Sequence, residues 1–255
     1  MAENYILVAG TGETATFQNH LVRYLLSADG FSAEPVLSDG RDSETICDAW
    51  RALWSEGKLP QGKGQPKDYS YKVQPLGKHK DKPSLRFAFC DLPVTLAEEE
   101  TALPEELDGL AANSRLNCVL VLVCGRDAEA AQDKALARVV AGLRNRYGED
   151  FASRCPVLLL TSAVDGENSQ AVDAFAEERL PATIGVLQDW AGRYTLGELD
   201  MGEFERAEDG ELFLGSPKFE DTARIFRWIY FQFTRYPVTE PFLARLWKSV
   251  LKSPF

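Results

Sequence analysis

Apolar residues recur along the chain with two periods, and the switches between them mark out the elements. Tyr5 to Ala9 (YILVA) is a short apolar run followed at once by Gly10-Thr11-Gly12, after which Phe17, Leu21, Tyr24 and Leu25 recur at helical spacing within 16–26. This predicts strand, glycine turn, helix. A Gly/Ser/Asp-rich stretch over 27–43 leads to a short helix carrying Ile46, Trp50, Leu53 and Trp54, and 57–67 is polar without a period. Tyr69, Tyr71 and Val73 then alternate with polar residues, and Leu85 to Cys90 is a more continuous run. The short lysine-rich link 77–83 between them predicts an antiparallel hairpin. Its second strand ends in Asp91-Leu92-Pro93, and 104–112 reads as a helix.

Two later runs, 118–124 (CVLVLVC) and 156–161 (PVLLLT), are apolar on both faces, as buried parallel strands are, and a long helix over 128–146 separates them. Helix is predicted again from 169 to about 191, followed by an acidic stretch with a small strand at 211–214 and aromatic-rich helices at 222–233 and 242–251. This rhythm of crossovers predicts an α/β fold with a mostly parallel central sheet, one antiparallel hairpin strand and helices on both faces. It occupies residues 1–236, and an amphipathic helix lies within 237–255. Phe242, Leu246, Trp247 and Val250 share one face of that helix, which either covers its own domain or docks a partner.

Charge sharpens the picture. The 255 residues carry 28 basic and 39 acidic side chains, a net charge of −11, which argues against sequence-independent nucleic-acid binding. Seven lysines stand against two aspartates between Lys58 and Lys82, so the positive charge is concentrated there. With its glycines and few large apolar groups, 58–82 is expected to be a basic, mobile segment. The five cysteines form no C-x-x-C pair and there are two histidines, so reduced structural thiols are expected and a metal site is not. Apolar runs fall short of the roughly 20 residues of a membrane span. The N-terminal residues have no basic leader, and a cytoplasmic location is expected.

A strand leading through glycines into a helix presents free backbone N–H groups and the positive end of the helix dipole to an anion. Set against G-x-x-x-x-G-K-[ST], however, Gly10 leads to Ala15, Thr16 and Phe17 where glycine, lysine and a hydroxyl belong, and Glu13 adds a repelling carboxylate. The same residues fit the dinucleotide pattern G-x-G-x-x-A (Gly10, Gly12, Ala15), with Glu34 and Asp39 as candidate ribose acids. A tight turn without a ligand is the third reading.

The hairpin ending in Asp91-Leu92-Pro93 brings in a resemblance. Over about residues 4–190 the order of elements is similar to that of translation-factor-like P-loop GTPases. Gly57-Lys58-Leu59-Pro60 ahead of the hairpin further resembles bacterial double-GTPase and GTPase-associated proteins of conflict systems. The resemblance implies a P-loop GTPase-like fold, with Asp91 as the aspartate of D-x-P-G and Thr161 to Asp165 at the guanine motif. It also exposes the departures. Val94 replaces the glycine of D-x-P-G, the guanine motif lacks its lysine and has a residue too many, and no switch threonine stands between Leu59 and Lys67.

The expected function is that of a catalytically degenerate pseudo-GTPase, a binding or regulatory module in a multi-protein assembly, with protein partners and no catalytic residue. Its vestigial nucleotide-binding candidates are Gly10, Thr11, Gly12, Glu13, Thr14, Thr16, Asp91, Thr161 and Asp165. No cofactor is expected beyond weak GTP or GDP binding. The alternatives are an active, atypical GTPase whose phosphate-neutralising lysine comes from 58–67, and an NAD(P)- or FAD-binding protein.

Overall fold

The computed structural model describes residues 4–10, 14–27, 30–37, 42–62, 64–96, 103–113, 117–125, 128–162, 169–206 and 212–238. Seven strands make the main sheet: β1 (Asn4–Gly10), β2 (Phe31–Val36), β3 (Ser70–Pro75), β4 (Leu85–Leu92), β5 (Asn117–Cys124), β6 (Val157–Ser162) and β7 (Tyr194–Leu199). Their order is β2-β3-β4-β1-β5-β6-β7. β1 pairs in parallel with β4 on one side and β5 on the other, β5 with β6, and β6 with β7. β3 runs antiparallel to both β2 and β4, the hairpin that the alternation of Tyr69, Tyr71 and Val73 predicts.

Period-two alternation in the central strands feeds two cores. Ile6 and Val8 of β1 face a cluster with α1 (Thr14–Ser27), α2 (Ser43–Ser55) and α7 (Glu220–Thr234), represented by Phe17, Trp50 and Phe226. Leu7 and Ala9 face the other cluster, built from α3 (Glu106–Ala112), α4 (Ala130–Arg154), α5 (Ser169–Arg179) and α6 (Pro181–Gln188). The result is three layers, helices on both faces of a mostly parallel sheet.

Several boundaries differ from expectation for identifiable reasons. The helix expected from 169 to 191 is two helices. Pro181 has no N–H to continue α5 and instead opens α6, whose Ala182 and Thr183 N–H groups donate to the buried Asp133 carboxylate of α4, each at 2.8 Å. The long helix extends to Arg154 but is interrupted at Gly148, whose φ of 75° no helix accommodates. β2 and β7 were hidden in stretches rich in polar and small residues. β2 is an edge strand containing Pro35, and β7 is half-buried along most of its length. A separate hairpin, β8 (Gly202–Arg206) and β9 (Leu212–Pro217), includes the small strand expected at 211–214.

Within 58–82, strand β3 is part of the sheet and Tyr69, Tyr71 and Val73 are buried. In the link, Lys78 and Lys80 are exposed and Lys82 is half-buried, and the one regular element there is a short turn at 77–79. No disulfide joins the five cysteines. Burial pushes the Cys118 thiol up to about 12 and raises Cys47 and Cys155, so these thiols stay protonated. Among the described residues no helix is long and apolar enough to cross a membrane.

α7 crosses the sheet to reach α1, and a buried polar contact sits where they meet. Thr222 Oγ1 lies 2.8 Å from His20 Nδ1, and the Phe219 ring is 5.1 Å from the imidazole. Burial lowers the His20 pKa from 6.5 to about 4; the Met201 carbonyl and Asp200 oppose that shift and Arg23 reinforces it. The unfolded chain therefore takes up a proton below pH 6.5 that the folded chain refuses until about pH 4. This group's contribution is complete above 6.5 and declines as pH falls through that window, by on the order of 3 kcal/mol at its foot. Urea midpoints measured from neutral pH down to about pH 4 are expected to fall, and His20→Gln is expected to flatten that part of the profile.

Candidate functional site

Parallel strands deliver their carboxyl ends to one edge of the sheet, the edge where α/β folds place ligands. Register fixes which residues meet there. Gly10 lies opposite Val123, Val8 opposite Asp91, and Cys124 opposite Thr161. The candidates Gly10, Asp91 and Thr161 are thus brought to the same edge, with Thr14 and Thr16 in the first turn of α1. Thr11, Gly12, Glu13 and Asp165 lie outside the described residues, as do Phe242, Leu246, Trp247 and Val250.

Gly10 has a packing reason to be glycine. A Cβ built there would stand 2.8 Å from the Val123 carbonyl oxygen of β5 and 3.2 Å from the Thr14 side chain. Phe17, at the position where a P-loop supplies the magnesium-binding hydroxyl, has no exposed surface and belongs to the core beneath α1. Thr16 is buried as well, at 6% exposure. Val94, three residues after Asp91, packs half-buried against the α3–α4 side of the sheet. Next to it, Arg138 of α4 donates to the Thr95 carbonyl at 2.9 Å. Thr161 is 1% exposed, and its hydroxyl has no hydrogen-bond partner among the described residues.

Asp91, at the end of β4, has both carboxylate oxygens engaged. Gln18 of α1 donates from Nε2 to Oδ1, and Lys67 Nζ is 3.1 Å from Oδ2. Neither partner stood out in sequence. Gln18 is a polar residue between apolar helix positions, and Lys67 is one of seven lysines with nothing to distinguish it. The segment bearing Lys67 is braced over its length. Leu214 N donates to the Gly57 carbonyl at 2.9 Å, and Lys58 pairs with Phe213 in an isolated bridge. Trp50 Nε1 donates to the Gly64 carbonyl at 2.9 Å, and Asp68 Oδ2 accepts from the Gly64 and Gln65 N–H groups. Tyr71 Oη donates to the Pro66 carbonyl at 2.7 Å.

These donors do not fit a magnesium ion. Magnesium is held through carboxylate oxygens and its own waters, whereas Asp91 is taken by an amide and an ammonium and the hydroxyl position is a buried phenyl ring. Among the described residues no group of three or more His, Cys, Asp or Glu side chains could hold a metal. A shallow cleft of about 530 Å³ lies between the start of α4 and the α5–α6 junction, beside Glu129, Asp133 and Arg179, and none of the motif residues lines it.

Topology decides between the two nucleotide patterns. In the dinucleotide fold the strand after the first helix lies beside β1, but here β3 and β4 stand between β1 and β2. Glu34, on that edge strand, faces Lys72 of β3, so the dinucleotide reading is set aside; Asp39 lies outside the described residues. Strand, glycine turn and helix are instead followed by the antiparallel hairpin ending at Asp91 and then by two buried parallel strands. The fold is P-loop GTPase-like. No family model matches the chain, and no curated protein does. Among solved structures it is similar to Toc33 from Arabidopsis thaliana in complex with Mg2+ and GMPPNP, at 14% identity and a TM-score of 0.41, over 93% of this chain and 87% of that one. A dimerization-deficient mutant of Toc33 matches at 15% identity and a TM-score of 0.43, over 92% and 86%.

The close approach at Gly10 separates a packing role from a ligand role. Gly10→Ala pushes a methyl group against backbone that cannot swing aside, and is expected to destabilise the fold by about 1–3 kcal/mol in urea or thermal unfolding. Unchanged stability would leave ligand contact as the reason for the glycine.

Proposed function

We propose that this chain is a catalytically degenerate GTPase-like protein that acts as a binding module in a protein assembly. The burial of Phe17 carries this reading. A missing hydroxyl on a flexible loop is a local loss, but here the position has become part of the core under α1. Restoring a magnesium ligand there would mean taking a phenyl ring out of a packed interior. Val94, packed where a flexible glycine belongs, and Asp91, already paired, point the same way. Each charge-assisted contact missing from such a site weakens phosphate binding by roughly 1.5–3 kcal/mol.

The rival is an active GTPase with a lysine drawn from 58–67, and Lys67 is the observation in its favour, since that side chain does reach the site edge. Thr161 lies at the same edge, and its buried hydroxyl has no partner among the described residues. Calorimetry with GTP, GDP and ATP, with and without magnesium, distinguishes the two. The degenerate reading expects no hydrolysis and at best weak binding that magnesium does not change. Micromolar, magnesium-dependent GTP binding abolished by Asp91→Ala would establish the rival.

The assembly role assigns the apolar face of Phe242, Leu246, Trp247 and Val250 to a partner. Removing 241–255 is then expected to leave the melting temperature nearly unchanged while abolishing pull-down of that partner. A sharp fall in melting temperature would assign the helix to its own domain.

A further inference from the structure

The position of Lys67 is built by its neighbours. Pro66 before it is buried and has its carbonyl held by Tyr71; Asp68 after it caps the N–H groups of Gly64 and Gln65; and Tyr69 is buried against Trp50, their ring centres 5.4 Å apart. Lys67 projects outward from this run, with 41% of its side chain exposed, and it ends on Asp91, 24 residues away in sequence. The other carboxylate oxygen is held by Gln18, from the helix that follows the glycine turn. One aspartate therefore joins α1, β4 and the segment entering β3.

We propose that Lys67 is the resident cation of Asp91. Its ammonium takes the role that a hydrated divalent ion has in a P-loop GTPase-like fold, and the pair ties 64–68 to the glycine-turn helix. The chemistry follows from charge and size. An ammonium 3.1 Å from the oxygen fills the space that magnesium's tightly held waters need, and its positive charge opposes the arrival of a second cation. A tethered cation also cannot leave with a ligand, so the tie persists whatever happens at the glycine turn. The inference rests on the geometry at Asp91 and is tested without nucleotide.

The test uses the full chain without nucleotide. Manganese, titrated to millimolar concentration and followed by electron paramagnetic resonance, probes the carboxylate as a metal ligand. Hydrogen–deuterium exchange of peptides spanning 64–68 reads the tie. For the wild type the manganese signal is expected to remain that of the free ion. Lys67→Met and Asp91→Asn are each expected to speed exchange over 64–68 about two- to fivefold, the factor set by a partly exposed ion pair. The double variant is expected to go no further than the faster single, because both remove the same contact. Manganese binding by the wild type that Asp91→Asn removes would overturn the proposal. So would wild-type exchange rates in Lys67→Met. Because Lys67 is at the surface, that arm decides even if Asp91→Asn loses its fold.

Discussion

Everything at the site edge depends on β1 being enclosed. It lies between two parallel strands and is apolar on both faces, and the hydrogen-bond ladders on its two sides leave no freedom to slide. A one-residue slip would send Ile6 and Val8 to the wrong core and carry Asp91 and Gly10 out of alignment with the ends of their neighbours. The apolar sequence YILVA thus does two things. It supplies the centre of both cores, and it fixes where the chain leaves the sheet and turns into α1.

What leaves the sheet at that edge is held by other groups of the protein. Phe17 is an anchor, Val94 is packing, and Asp91 is the meeting point of three segments. All three are contacts within the chain, and all add to its internal cohesion.

The strands of the centre were legible because burial on both faces leaves a continuous apolar run, and the hairpin was legible because one side alternates. The edges were not. Phe31–Val36 and Tyr194–Leu199 bury too few residues to stand out from polar, small-residue surroundings, and the break at Pro181 was masked by the apolar continuity on either side of it. At the site, sequence marked Asp91 and the glycine turn through spacing. Their partners were invisible, because Gln18 and Lys67 are defined by contacts to Asp91 across 73 and 24 residues, and nothing local distinguishes them from other helix glutamines or loop lysines.

The late hairpin adds an order of events. The Lys58–Phe213 bridge and the bond from Leu214 N to the Gly57 carbonyl fasten the beginning of the Lys67 segment to a part of the chain made some 150 residues later, and the partner of His20 comes 202 residues after it. During synthesis the face of α1 that bears His20 and Tyr24 remains open to water until Phe219 and α7 have emerged. The N-terminal half therefore lacks part of its cover until the C-terminal half has been made. A nascent chain stalled before about residue 230 presents an uncovered aromatic surface, the kind of surface that recruits chaperones.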